Sequence, residues 1–336
     1  MIFAVSNWAP IPLQKALYNH GITLIKLNFD LRDIERLKDF DIIYYAKPVP
    51  PMISKDLLIS KSMLGNVRII YGLHMPLTID NKVRLSHYIY DAAMIAQSII
   101  AKLKNYIIHT LNMTDYKIAK SIGLKPIYLP LGTDTSVFQC KMNKPGTFTL
   151  IYASRPSWHK GTDLLVNLII PEIIKKLGNN VRIIITDANY DYMQWIYNKI
   201  RNIRNVELYP HVSFNELAKL FSEAHVLLFP SRYESFGLAV LDAMASGIVP
   251  VAFNVRGFVQ DVLLHNKALS KYIVEYPNVQ LFISRVLELY ELWYKHIDEF
   301  NKLVHEVCKI ASNYSWNNIS VLWAKTLKSI IEGKAA

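Results

Sequence analysis

Cysteine is scarce. The 336 residues contain two, Cys140 and Cys308, far apart and in unrelated surroundings. A secreted disulfide framework needs more pairs and a zinc site needs more ligands, so both are expected to be free thiols in a reducing cytoplasm. No apolar run reaches the length that spans a bilayer. Met1 to Val5 runs straight into Ser6, Asn7 and Trp8, without the basic start and long apolar stretch of a signal peptide. A cytoplasmic protein is expected. No G-x-G-x-x-G or Walker string occurs, and no Cys or His cluster has metal spacing. Low-complexity segments and short-period repeats are lacking too.

What is present is an ordinary globular composition, 51% apolar and 19% charged. A chain of this length is more than one typical core holds, so two domains are expected. The formal charge is +11 and is unevenly placed. Residues 1–145 carry 18 Lys and Arg against 10 Asp and Glu, a balance of +8; the remainder carries 20 against 17, a balance of +3. Such a field favours an anionic partner: a phosphorylated substrate, an acidic membrane surface or nucleic acid. No basic run is longer than Lys175-Lys176 and no nucleic-acid motif occurs, so nucleic acid is the least favoured.

Short β-branched runs alternate with helical patterns. Met1–Val5, Ile22–Leu27, Asp41–Ala46, Val67–Tyr71, Tyr106–Thr110 and Pro126–Leu129 read as strands. Leu13–His20, Ser86–Leu103 and Thr114–Ile122 read as helices, with Gly21 and Gly123 closing two of them. The pattern pauses at Gln139–Gly146, taken as a linker. A second series follows, with strands at Phe148–Ala153, Val181–Thr186, Val206–Tyr209, His225–Pro230 and Val249–Phe253. Its helices are Thr162–Leu177, Tyr190–Ile200, Phe214–Ser222 and Gly237–Ser246, and the tail from Asn278 is helical, ending in Trp316–Ile331. The order implies an α/β fold with two doubly wound parallel sheets, one in residues 1–140 and one in 141–315, with 316–336 as a final helix. Ligands in such folds bind at the carboxyl ends of strands and in clefts between domains.

Two stretches carry candidate chemistry. In the first, Phe229 to Val251, a buried strand ends at Pro230, a polar turn with Glu234 follows, and Gly237 opens a helix closed by Gly247. A glycine at a helix start lets a phosphate approach free backbone N–H groups. Glu234 and Asp242 could both accept hydrogen bonds from sugar hydroxyls; equally, Glu234 could cap the turn and Asp242 lie on a solvated face. In the second stretch, Ala153 to Gly161, Arg155 and Lys160 follow a buried strand and precede a helix. Arg155 can grip phosphate oxygens with its fork, and Lys160 adds a point charge. The alternative is a solvated basic loop.

These stretches resemble glycosyltransferase family 4, the retaining group 1 glycosyl transferases with the GT-B fold. The family's pattern PS-x-x-E-x-F/G-x-x-x-x-E-A-x-A-x-G-x-PV reads here PSRYESFGLAVLDAMASGIVPV, from Pro230 to Val251. Arg155 with Lys160-Gly161 resembles the family's diphosphate site, and Leu129 to Phe138 its P-N-G-V-D string. The segment Val206–Phe221 resembles the one that walls the nucleotide base, and Ser315-Trp316 the start of a last helix that crosses back onto the first domain.

The resemblance implies a metal-independent hexosyltransferase without a cofactor, using a nucleotide diphosphate sugar as donor. The acceptor would be a lipid, a polysaccharide or a small molecule. Arg155 and Lys160 would bind the diphosphate, Glu234 the transferred sugar and Asp242 the ribose. Phe236, Gly237 and Leu238 would offer backbone N–H groups, His211 and Val212 would lie beside the nucleotide, and His74 would contact the sugar near the reacting carbon. The acceptor would attack from the leaving-group side, with the phosphate taking its proton. Asp242 replaces the usual second Glu, and Ser6-Asn7-Trp8-Ala9-Pro10 stands where the family has a glycine-rich loop. Trp8 could stack on a sugar or belong to the core. Asp39-Phe40-Asp41 spells the metal-binding acid pair of GT-A transferases but precedes a strand, so chance is the expected explanation. Two other classes stay open: a GT-B-type epimerase or phosphorylase, and a degenerate sugar-nucleotide-binding module. The basic first half adds an expected peripheral contact with an anionic inner membrane surface.

Overall fold

The computed structural model describes residues 1–6, 10–27, 37–47, 65–80, 82, 84–144, 146–186, 190–200, 203–209 and 212–334. The chain forms two compact units, Met1–Gly132 with Ser315–Ala336, and Thr133–Tyr314.

The first unit is built on β1 (Ile2–Ser6), β2 (Thr23–Leu27), β3 (Ile42–Lys47), β4 (Arg68–Leu73), β5 (Ile107–Thr110) and β6 (Pro126–Tyr128). Its helices are α1 (Ile11–Tyr18), α2 (Leu85–Leu103) and α3 (Met113–Ser121). The sheet order is β2-β1-β3-β4-β5-β6, all parallel. Ile43, Tyr45, Ile69, Tyr71 and Ile108 project from the strands into one core with Met94 and Ala101 of α2. Burying each large side chain is worth about 1.5–3 kcal/mol, which is why the strands are nearly continuous apolar runs. Asn112 caps α3 by accepting from the backbone N–H of Asp115 at 2.7 Å. Asp41, from the acid pair noted above, accepts from the N–H of Ile2 at 2.7 Å and so has a structural task at the start of the sheet.

The second unit holds β7 (Phe148–Ala153), β8 (Val181–Thr186), β9 (Val206–Tyr209), β10 (Val226–Phe229), β11 (Val249–Phe253) and the short β12 (Ile273–Val274). The order β12-β11-β10-β7-β8-β9 is the doubly wound arrangement in which strand order reverses between β7 and β10. After β7 comes a helical stretch, 162–177, made of α4 (Thr162–Leu164), a π turn (Leu165–Ile169) and α5 (Ile170–Leu177). Pro171 explains the interruption: it has no N–H for the helical ladder, and Ile170 N donates five residues back to Leu165. The remaining helices are α6 (Tyr190–Ile200), α7 (Phe214–Glu223), α8 (Leu238–Ala245), α9 (Val279–Lys295) and α10 (Ile297–Asn313). A capping box of Ser213 and Glu216 opens α7.

The last helix, α11 (Trp316–Ile331), belongs to the first unit. Ser315 caps it, Trp323 is fully buried with its indole N–H on the carbonyl of Pro130 at 3.0 Å, and Ser320 meets His20 of the α1–β2 turn at 3.2 Å. The expected GT-B architecture is thus present, with a final helix that returns to the first domain.

The cysteines correct the sequence reading. Cys140 and Cys308 form a disulfide, with Cα atoms 5.8 Å apart and 168 residues between them in sequence. Cys140 lies soon after the chain enters the second unit and Cys308 lies on α10, so folding brings together residues whose sequence surroundings gave no hint of it. The thiol argument for a reducing cytoplasm therefore falls.

Candidate functional site

In an open doubly wound sheet, ligands bind beyond the carboxyl ends of the strands where the order reverses. In the second unit those are β7 and β10, and the two candidate stretches leave from their ends.

The loop after β7 is held down from below. Gly161 has φ 71°, and a Cβ there would meet the carbonyl oxygen of Pro230 at 1.9 Å, so only glycine allows the loop to rest on the end of β10. Arg232, nearly fully buried, locks the same contact. Its guanidinium grips Asp163 at 2.7 Å through both terminal nitrogens, donates to the carbonyl of Trp158, and lies 4.3 Å over the Trp158 ring. Its backbone N–H donates to His159 O at 2.8 Å. The His159 ring stacks on Tyr233, and burial with the neighbouring Lys160 lowers its pKa to about 4.

On this base Lys160 and Glu234 come together. Lys160 Nζ donates to Glu234 Oε1 at 2.6 Å, and Glu234 is buried. Arg155, on the same loop, is exposed. The structure thus joins two residues that lie 74 positions apart and that sequence reading assigned to one ligand.

The loop after β10 leads into α8 through Gly237, whose φ of 88° places it in the left-handed region at the helix N-cap. Phe236 is buried against Phe258 and accepts from the Phe258 N–H at 2.7 Å, while Leu238 is exposed. Most of α8 is buried, Asp242 included, which excludes the solvated-face reading of that residue. Its Oδ1 accepts from the Thr133 hydroxyl at 2.6 Å, and burial raises its pKa to about 7. Asp242 is therefore tied to the Leu129–Phe138 string.

His74 lies in the first unit, directly after β4. It belongs to a chain of hydrogen bonds whose direction is fixed by chemistry. His109 Nε2 lies 2.7 Å from the carbonyl of Leu129, which can only accept, so Nε2 carries the hydrogen. Burial lowers the His109 pKa to about 4, so its Nδ1 is a lone pair that accepts from the Tyr44 hydroxyl at 2.6 Å. The Tyr44 oxygen then accepts from His74 Nε2–H at 2.8 Å. Burial, with His109 adding to it, lowers the His74 pKa to about 3. His74 is accordingly neutral, with its hydrogen on Nε2. Trp323 of α11 backs the chain, its ring 5.2 Å from that of His109.

Sequence reading missed Tyr44, His109, Thr133 and Arg232. A histidine and a tyrosine inside otherwise apolar strands, Ile-Ile-His-Thr and Ile-Ile-Tyr-Tyr, were the available signal for the first two. Val212 is half-buried just before α7. His211 and Trp8 lie outside the described residues. Among the described residues no group of three His, Cys, Asp or Glu side chains is placed to hold a metal ion.

Residues 138–303 match the family described as Glycosyl transferases group 1. The chain is 25% identical over 248 residues to a glycogen synthase of Thermodesulfovibrio yellowstonii, covering 69% of this chain and 48% of the relative. It is 27% identical over 290 residues to an uncharacterized 41.2 kDa protein in the cps region of Klebsiella pneumoniae, covering 82% and 74%. The chain spans about half the length of the first curated relatives it matches, 48% and 42%. In structure it is similar to HepE of Anabaena, solved in complex with UDP-glucose, with a TM-score of 0.72 over 98% of this chain and 100% of that one. At 14% identity this likeness speaks for the fold alone. Residues 138–303 thus resemble a glycosyl transferases group 1 domain, and the chain has the GT-B fold.

Proposed function

We propose that this chain is a retaining hexosyltransferase that moves a sugar from a nucleoside diphosphate donor to a glycan, lipid or small-molecule acceptor without a metal ion. The observation that carries the reading is the Lys160–Glu234 pair at 2.6 Å, at the strand-order reversal of the group 1 domain. As the anomeric bond breaks, negative charge builds on the leaving diphosphate and positive charge on the ring. Arg155, Lys160 and the backbone N–H groups entering α8 at Gly237 and Leu238 are suited to stabilise the first. Glu234 can accept from sugar hydroxyls and, in giving up Lys160 to the diphosphate, gains acceptor capacity for them. His74 is also assigned to the donor sugar, and Asp242 to the ribose. The acceptor proton passes to the departing phosphate, so no carboxylate pair is needed as acid and base.

A second reading, a sugar-nucleotide-binding module without turnover, draws support from one observation: Asp242 is already engaged by Thr133. A thermal-shift panel of UDP, GDP, ADP, TDP and CMP in EDTA, on wild type and on Arg155→Ala/Lys160→Ala, tests donor binding. The expected result is a shift from one diphosphate that the double variant loses. Turnover of the matching donor sugar then separates enzyme from module.

A further inference from the structure

The outer face of α2 does not look like a surface helix of a water-soluble domain. Such a helix turns a polar face outward. Here Leu85 is 76% exposed, Tyr88 56%, Ile89 59%, Ile99 42% and Leu103 81%. Ala92 and Ala96 lie between them and are exposed as well. At 100° per residue these seven positions fall within an arc of about 100°, a straight apolar stripe along a helix about 28 Å long.

The exposed charged residues at the ends of α2 are cations. Arg84 stands exposed at its start, and Lys102 exposed at its end with Lys104 just beyond. The helix has one acid, Asp91; it is buried, accepts from the Ile79 N–H at 2.8 Å and pairs with Lys82. The Lys82 ammonium in turn lies 5.3 Å from the centre of the Tyr88 ring. The inner face, with Met94, Gln97, Ser98 and Ala101, is spent on the core of the first unit.

We propose that the outer face of α2 is a membrane-docking surface that lies in the interface of a bilayer rich in anionic lipid. The apolar stripe would enter the boundary between headgroups and acyl chains. The cations at both ends would meet lipid phosphates, their aliphatic stems lying along the apolar surface. A second copy of this chain fits the face poorly. In a parallel pairing each basic end meets itself, and in an antiparallel pairing Arg84 meets Lys102 and Lys104, with no acid on the face to offset either arrangement. No helix of the described residues is long and apolar enough to cross a membrane, so the contact would be peripheral. The inference stands on α2 alone and does not depend on the catalytic reading.

Co-sedimentation of the full chain with vesicles tests it. Probes are vesicles of phosphatidylcholine with a third phosphatidylglycerol, and vesicles of phosphatidylcholine alone. The expected result is binding to the anionic vesicles at low salt, several-fold weaker at about 0.15 M salt, and little binding to the neutral ones. Ile89→Glu/Ile99→Glu is expected to lose at least tenfold in affinity with unchanged melting temperature, since both side chains face outward. Arg84→Gln/Lys102→Gln is expected to flatten the salt dependence. No binding by the wild type at low salt would overturn the proposal, as would equal binding by the Ile89→Glu/Ile99→Glu variant. A concentration-dependent dimer that the same variant abolishes would also overturn it, by showing that the face covers a second copy.

Discussion

Lys160 Nζ stands 2.6 Å from Glu234 Oε1, so an anionic ligand of Lys160 would compete with Glu234 for it. On the proposed reading, a bound diphosphate would draw Lys160 away from Glu234. Glu234→Ala is therefore expected to bind bare UDP more tightly, by up to about tenfold or 1.4 kcal/mol, while sugar transfer falls by about a hundredfold or more. Lys160→Ala is expected to weaken UDP by about tenfold and to lower transfer as well. Titration calorimetry with UDP, beside initial rates, separates the two. If both variants weaken UDP equally, the pair is not in competition with the ligand.

Tyr44 joins His74 to His109 through one hydroxyl, at 2.8 and 2.6 Å. Tyr44→Phe leaves the ring nitrogens of buried His109 and half-buried His74 without that partner, at a cost of about 1–3 kcal/mol in chemical unfolding. It also releases the constraint that keeps the His74 hydrogen on Nε2. NMR of protein carrying 15N-histidine is expected to show His74 as the neutral Nε2–H form in the wild type and as a mixture of tautomers in the variant. Transfer is expected to fall further than stability explains. An unchanged tautomer in Tyr44→Phe would contradict a hydrogen-bond chain that runs from His74 through Tyr44 to His109.

Asp242 gives a pH prediction with a definite sign. Its folded pKa, raised to about 7 by burial, lies above the ordinary value of 3.8. Between those values the folded state holds a proton that the unfolded state has lost. The contribution of this group to stability is thus full below about pH 4 and declines as pH rises through about 7, by on the order of a few kcal/mol. Asp242→Asn, whose amide oxygen can still accept from Thr133, removes the decline. The melting temperature of the variant relative to wild type is expected to rise between pH 4 and 8. Parallel curves would show that Asp242 is ionised when folded.

The disulfide closes a loop of 168 residues within the second unit. Cross-linking so long a loop removes entropy from the unfolded chain worth up to about 5 kcal/mol in the chain-entropy account. Cys140→Ser, or reduction of the wild type, is expected to lower the melting temperature of the second unit by several degrees or more. Scanning calorimetry with and without reductant checks this.

How much of this was legible in the sequence follows the range of each signal. Strands such as Phe148–Ala153 and Val181–Thr186 and the helix Trp316–Ile331 were read to the residue, because burial on both faces and local caps write themselves into short stretches. The two-residue strand β12 carries too little pattern to read. The Lys160 and Glu234 loops were recognised one at a time, from glycine and charge at strand ends, but their contact depends on the reversal of strand order between β7 and β10. The Cys140–Cys308 bond, the Thr133–Asp242 bond and the Tyr44–His109 bond are long-range pairings. No local pattern encodes them, and in each case at least one partner was read as an isolated residue or passed over.

The most direct test of the central claim is a transfer assay in EDTA with the diphosphate sugar whose nucleotide gives a thermal shift, following release of the nucleotide and the anomeric configuration of the product in wild type and Lys160→Ala. The account predicts metal-free release coupled to an acceptor, retention at the anomeric carbon, and a loss of about a hundredfold or more in the variant. Release that requires an added divalent cation, or a product of inverted configuration, would contradict it.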